Sequence, residues 1–228
     1  QRVEAADGAE ALRMAFEKTL AGLPQSARKP LTANAADWLA REPPPPEYIL
    51  EQIFERDSRV LLVGSSKTRK SFLALQLAIC IASGIKFLGF GVPQRRRVLL
   101  VNLENTPDWQ HRRLRAMCAT LGVTADLLGD RLEILNGRGR GVTLADIEAA
   151  ALKHHAEVIV LDPLYKLDGG ADESDMAERK RLVAELERMS ERTGAALVIV
   201  HHDPKGAAGD RNVRDRGAGS AVINRDVD

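Results

Sequence analysis

One stretch restricts this chain more than any other: Arg59-Val60-Leu61-Leu62-Val63-Gly64-Ser65-Ser66-Lys67-Thr68-Arg69-Lys70-Ser71. A short apolar run ends in a glycine, and a tight polar loop follows. Lys-Ser then opens Phe72-Leu73-Ala74-Leu75-Gln76-Leu77-Ala78-Ile79, which reads as a buried helix. Strand, loop and helix in this order match the phosphate-loop pattern G-x-x-x-x-G-K-[ST]. There, backbone N–H groups wrap phosphates, the Lys reaches the outer phosphates and the Ser hydroxyl holds Mg²⁺. The helix N-terminus adds its dipole. Residues Gly64, Ser65, Ser66, Lys67, Thr68, Arg69, Lys70 and Ser71 are therefore the expected nucleotide-binding loop. Gly64, Lys70 and Ser71 stand at the required spacing, but Arg69 occupies the second glycine position. A side chain there has to point away from the phosphates, or the loop has to differ. Arg69 also brings positive charge close to any nucleotide.

The chain's 228 residues, 44% hydrophobic and 29% charged, suit one globular domain with an extension. A net charge of +1 gives no global field to select nucleic acid, so any DNA contact has to come from local basic patches. Cys80 and Cys118 form neither a metal-ligand cluster nor a disulfide framework, which points to a reducing cytoplasm. The longest apolar run, residues 72–82, is too short to span a bilayer. No signal peptide is visible, and no membrane partner is expected. The chain begins at Gln1 rather than Met, so upstream sequence is expected.

In chain order, Ala9, Leu12, Ala15, Phe16, Thr19 and Leu20 give a helical stripe over residues 1–22, stopped by Gly22 and Pro24. Thr32 is the expected cap of a short helix carrying Ala36, Trp38 and Leu39. Residues 1–42 thus read as a helical extension. The run Pro43-Pro44-Pro45-Pro46 opens an extended arm to Ser58. Trp38, Tyr48 and Phe54 have two readings, stacking on a base or packing onto the core, and the second is preferred.

From residue 59 the pattern alternates: strands at 60–63, 97–103, 131–135, 157–161 and 195–200, with helices at 70–83, 107–121, 143–155 and 174–192. Strands apolar on both faces and joined by helices predict an α/β fold: a mostly parallel sheet covered on both sides. Ligands of such sheets sit at the carboxyl ends of the strands. Asp162 follows Val158-Ile159-Val160-Leu161 and is the expected Mg²⁺ carboxylate. Glu104 ends the second strand, expected beside the phosphate-loop strand, where it is placed to orient or deprotonate the attacking water. His202 ends the fifth strand and can sense a terminal phosphate; His201 faces the other side. The stretch Asp203–Gly219 is rich in Gly, Arg and Asp. Its Lys205, Arg211, Arg214 and Arg216 are candidate contacts to single-stranded DNA, offset by Asp203, Asp210 and Asp215. The clusters Arg95-Arg96-Arg97 and Arg112, Arg113, Arg115 read as solvated edge and helix faces.

Together, PPPPEYI, GSSKTRKS, VLLVNLE, VIVLDPL, VIVHHDPKG and RGAGSAVINRD resemble the RecA-like P-loop ATPases from about Trp38 to Asp228, and within them the RepA-type replicative helicases of plasmids and prophages. The resemblance implies ATP and Mg²⁺ as cofactors and a RecA-like core over 59–228, with further strands expected beyond Asp228. It makes Lys70 and Ser71 the nucleotide and Mg²⁺ residues, Glu104 the catalytic glutamate, Asp162 the metal carboxylate and His202 the sensor. It also implies an arginine finger donated to a neighbour's site, for which Arg225 is the candidate, and hence a homo-oligomeric ring, with a hexamer as the candidate size. Two rival readings stay open: an ATP-dependent regulatory switch in the same fold, and an assembly module whose loop is degenerate at Arg69.

Overall fold

The protein is described here by a computed structural model that places residues 32–65, 67–167 and 176–202, with backbone alone for 176–179 and 202. The helix expected over 1–22 lies outside the described residues. The chain divides into two units, Gln1–Pro45 and Pro46–Asp228. In the first, the described residues hold one short helix, α1 (Ala35–Leu39). Its N-cap is Asn34, not Thr32: the Asn34 side chain accepts the Ala36 N–H at 2.8 Å. A cap must directly precede the first helical residue for its oxygen to reach an early amide, and Thr32 is two positions too early. Trp38 stays exposed.

The second unit opens with a hairpin, β1 (Tyr48–Leu50) antiparallel to β2 (Phe54–Glu55), where an extended arm was expected. Ile49, Leu50 and Phe54 explain the difference, because all three are buried in the main core. Phe54 therefore packs rather than stacking on a base. Next come β3 (Arg59–Gly64), α2 (Lys70–Ser83), β4 (Val98–Asn102), α3 (Pro107–Leu121), α4 (Ala125–Leu128) and β5 (Leu132–Asn136). They are followed by α5 (Leu144–His154), β6 (Val158–Asp162), a 3₁₀ turn at Leu164–Lys166, α6 (Met176–Thr193) and β7 (Ala196–His202). The helix ends follow local chemistry. Thr106 caps α3 with Pro107 in its first turn, Thr143 forms a capping box with Asp146 on α5, and Gly84 and Gly122 close α2 and α3 in the left-handed region.

The five longer strands form one parallel sheet in the order β3-β7-β6-β4-β5. Val98, Leu100, Val158, Val160, Val198 and Val200 face α2 and α3. Leu99, Val101, Ile159, Leu161, Leu197 and Ile199 face α5 and α6. Burial on both faces is why these strands read as continuous apolar runs rather than alternating ones.

The order corrects one expectation. β4, which leads to Glu104, is not beside β3, whose neighbour is β7. The cause lies in α2, which is buried from Ala74 to Ser83 apart from half-buried Gln76. A helix so widely apolar needs sheet beneath its full width. It crosses all five strands, leaving room for β6 and β7 between β3 and β4. A second correction concerns Arg96, read as a solvated edge residue. It is only 5% exposed and donates to Glu47 at 2.6 Å and Glu157 at 2.8 Å. Two carboxylates are what offset the cost of burying that guanidinium. Among the described residues, no helix is long and apolar enough to cross a membrane.

Candidate functional site

β3 ends at Gly64 and α2 starts at Lys70, so the intervening loop must turn sharply. Lys67 and Arg69 both take positive φ, 65° and 66°. Arg69 thus occupies the left-handed conformation for which the motif's second glycine is normally used, at a cost of roughly 1–2 kcal/mol. The turn is held internally. Thr68 Oγ1 donates to the Ser65 carbonyl at 2.8 Å, and the Arg69 carbonyl accepts the N–H groups of Phe72 and Leu73 at 3.0 and 3.1 Å. A Cβ at Gly64 would lie 3.1 Å from Thr68 Oγ1, so the threonine hydroxyl would have to give way by a few tenths of an ångström. Lys70 is buried and folds back, its Nζ donating to the carbonyls of Gly64 at 2.5 Å and Ser65 at 2.8 Å. Ser66 lies outside the described residues.

From the next turn, the Ser71 hydroxyl donates to Asp162 Oδ1 at 3.0 Å. These two residues are 91 apart in sequence and meet because β6 ends under the start of α2. Asp162 is 5% exposed. Burial first, and then the charge of Glu104, push its carboxyl up to about 6, against the opposing hydrogen bond from Ser71 and the charges of Arg113 and Lys70. Folding therefore raises this acid above its ordinary value of 3.8. The native state holds the proton more tightly, so stability falls as pH rises from about 4 to about 6, and the loss persists above that. Without metal, Asp162→Asn is expected to raise stability at pH 7.5 by about 2–3 kcal/mol, or about 4–12 °C in melting temperature, with the gain shrinking toward pH 4. Thermal melts at the two pH values check this; equal melting of both proteins at both pH values would count against a penalised carboxylate.

Glu104 lies two residues beyond β4, in an exposed turn rather than at the strand end. Its backbone is fixed by a buried asparagine. Asn102 Oδ1 accepts the Asn105 N–H, and Asn102 Nδ2 donates to the Asn105 carbonyl and to Asn136 Oδ1, each at 2.9 Å. The Tyr165 phenol, on the turn after Asp162, is raised by burial and by the charge and hydrogen bond of Glu104.

An open pocket of about 400 Å³ separates the loop from this turn, lined by Lys67 to Phe72 on one wall and Glu104, Asn105 and Arg113 on the other. Arg113 corrects the reading of its cluster as a solvated face: its guanidinium carbon lies 4.4 Å from the centre of the Phe72 ring and 4.2 Å from that of Trp109. The pairing with Trp109, four residues earlier on α3, was legible as a helical i, i+4 neighbour; that with Phe72 was not. Asn102 and Tyr165 carried no sequence signal, because their roles depend on neighbouring strand ends. His202 pairs in register with Gly64, while the His201 side chain is buried. The basic candidates Lys205, Arg211, Arg214 and Arg216, and the finger candidate Arg225, lie outside the described residues.

Residues 24–208 match the AAA domain family. The chain belongs to that family. The fold of this AAA domain is the expected RecA-like α/β one, a five-stranded parallel sheet covered by helices on both faces. A solved structure that it resembles is a KaiC-like protein from the hyperthermophilic archaeon Pyrococcus horikoshii OT3, at 18% identity and a TM-score of 0.47, covering 69% of this chain and 67% of that one. The AAA domain therefore joins a P-loop ATPase family to a pocket that gathers Lys70, Ser71 and Glu104, with Asp162 bonded to Ser71 beside it.

Proposed function

We propose that this AAA domain binds Mg·ATP in the Lys67–Arg113 pocket and hydrolyses it as a motor subunit of the RepA type, acting on single-stranded DNA in plasmid or prophage replication. The observation that carries the reading is the Ser71–Asp162 pair, a hydroxyl and a carboxylate 3.0 Å apart beside the Lys70 ammonium. A hydroxyl and a buried carboxylate that forms no ion pair among the described residues offer two hard oxygen donors, which suit Mg²⁺, an ion that keeps most of its waters and takes few protein oxygens. Bound there, the ion would neutralise charge on the outer phosphates.

The chain's own residues divide the remaining work. The loop amides and the start of α2 receive the inner phosphates. Lys70 leaves the Gly64 and Ser65 carbonyls for the phosphoryl oxygens. Glu104, on the far wall, orients a water and takes its proton as the water attacks the terminal phosphorus. His202 hydrogen-bonds the terminal phosphate and passes its loss to the segment that follows. Support for this is its register beside Gly64 and the direct continuation into the basic stretch of Lys205, Arg211, Arg214 and Arg216, which grips DNA. Arg225 of an adjacent subunit completes the charge stabilisation in a ring.

Steady-state hydrolysis by the full chain, with and without single-stranded DNA, tests the reading. Turnover that rises several-fold with DNA is the expected result. Turnover indifferent to DNA would favour a regulatory switch. Arg69, in its strained conformation, gives the non-hydrolysing assembly module its one foothold, and that reading predicts no binding of Mg·ATP at all.

A further inference from the structure

The strands end in a row, and on one side of the Glu104 turn that row runs into a loop built only of glycine and arginine. Asn102, at the end of β4, pairs in register with Asp162 on one side and Asn136 on the other. The next five residues are Gly137-Arg138-Gly139-Arg140-Gly141. Their base is fixed to β4. The Gly137 N–H donates to the Asn102 carbonyl at 2.9 Å, and Asn136 accepts from the same Asn102 side chain that holds the Glu104 turn. A Cβ on Gly137 would come within 2.7 Å of Leu103 Cδ2 and of Val142 Cγ2, so the backbone lies close against the residue before Glu104. The Arg140 N–H then returns to the Gly137 carbonyl at 3.1 Å, closing a tight turn. Gly139 and Gly141 take positive φ, 70° and 61°, a conformation that side chains resist.

This anchored turn presents two charges. Residues 138–141 are exposed, whereas Gly137 is buried. Among the described residues neither Arg138 nor Arg140 makes an ion pair or a side-chain hydrogen bond. No acid lies between Glu133 and Asp146 in the sequence. The Asp146 carboxylate is already engaged, accepting the Thr143 N–H at 2.9 Å and the Thr143 hydroxyl at 2.7 Å. That capping box also fills the start of α5, so an incoming anion meets the two guanidiniums rather than the helix end. Each guanidinium is a fork matched to phosphate oxygens. The glycines around them carry no side chains, so a strand of phosphates can pass close to the backbone and engage both arginines at once. The loop has neither an aromatic ring nor a side-chain amide, so it grips phosphates without reading bases. With a net charge of only +1 on the whole chain, attraction for a polyanion has to come from such local patches.

We infer that the 137–141 loop is a contact site for successive phosphates of single-stranded DNA, made by Arg138 and Arg140. The inference rests on the reading of this AAA domain as acting on single-stranded DNA, and it adds a surface separate in sequence from the basic stretch of Lys205, Arg211, Arg214 and Arg216.

The experiment is equilibrium binding of a labelled oligothymidylate to the full chain over a range of salt concentrations, with Mg·ATP-analogue binding and thermal melts as controls. Three proteins are compared: wild type, the double variant Arg138→Ala with Arg140→Ala, and the double variant Arg138→Lys with Arg140→Lys. Loss of two phosphate contacts makes the plot of log affinity against log salt shallower by about 1.4 in the alanine variant, about 0.7 for each contact. At about 0.1 M salt the same relation weakens binding by about ten- to thirtyfold, and the difference closes toward 1 M. The lysine variant keeps the wild-type slope, because its charges remain, and loses only a few-fold in affinity with the fork. Melting temperature and analogue binding stay at wild-type values in both, since the two side chains are exposed. An alanine variant with wild-type slope and affinity would overturn the inference while leaving the DNA reading in place. Poly-glutamate bound as tightly as the oligonucleotide, and lost equally in the alanine variant, would reassign the loop to an acidic protein. Wild-type protein that binds the analogue but no oligothymidylate overturns the DNA reading, and the inference with it.

Discussion

Lys70→Ala is expected to reduce ATP hydrolysis by about a thousandfold in kcat/KM while leaving the protein folded. The Lys70 side chain is held by backbone carbonyls of its own loop. Its ammonium folds onto the Gly64 and Ser65 carbonyls, 2.5 and 2.8 Å away, in a loop where Ser65, Lys67, Thr68 and Arg69 are exposed. Removing it therefore leaves two carbonyls that water can reach, and the melting temperature should change little. Its effect on the reaction is much larger. Two charge-assisted hydrogen bonds that strengthen as charge builds on the phosphoryl oxygens amount to about 4 kcal/mol, which is about a thousandfold in rate. Lys70→Arg should not rescue activity, because a planar fork cannot fold into the tight cradle that accepts a compact ammonium. Steady-state kinetics with melting curves check the pair of variants. Hydrolysis by Lys70→Ala at near wild-type rates would remove the loop from the reaction.

The second large effect belongs to Glu104. Glu104→Gln is expected to lower kcat by about 10²–10⁴, the usual range for losing a general base, while Mg·ATP still binds. The separation of binding from turnover follows from where the residue sits. The Asn102–Asn105 hydrogen bonds fix the backbone of its turn, and the amide is the same size as the carboxylate, so the pocket keeps its shape. Only the proton acceptor is lost. Single-turnover assays alongside nucleotide binding distinguish this from general damage. A Glu104→Gln enzyme that turns over within a few-fold of wild type would move the base elsewhere on the same wall. Tyr165, whose phenol bonds Glu104, is too weak an acid to stand in, since its pKa is raised further by burial and by that carboxylate.

The loop's place was legible in the chain alone because it is local. Gly64, Lys70 and Ser71 are brought together by spacing along one turn from strand to helix, and that spacing is a property of sequence. The strand runs ending in Asp162 and His202, and the α2, α3 and α5 spans, follow from apolar patterning and from caps at Thr106, Thr143, Gly84 and Gly122. The hairpin β1–β2 escaped notice because a proline run hid it, and its stability comes from burying Ile49, Leu50 and Phe54 against residues far along the chain.

What the fold alone decided concerns which distant residues meet. Strand order is fixed by helix packing rather than by chain order. That is why β7, not β4, lies beside β3, and why His202 rather than Glu104 stands next to Gly64 in the ladder. Arg96 and Arg113 looked like solvated charges, since nothing nearby in sequence could bury them. Glu47 and Glu157 came from other elements to hold the first, and Phe72 from the phosphate loop's own helix to hold the second. An arginine's role is set by the groups around its guanidinium, and only tertiary packing supplies them.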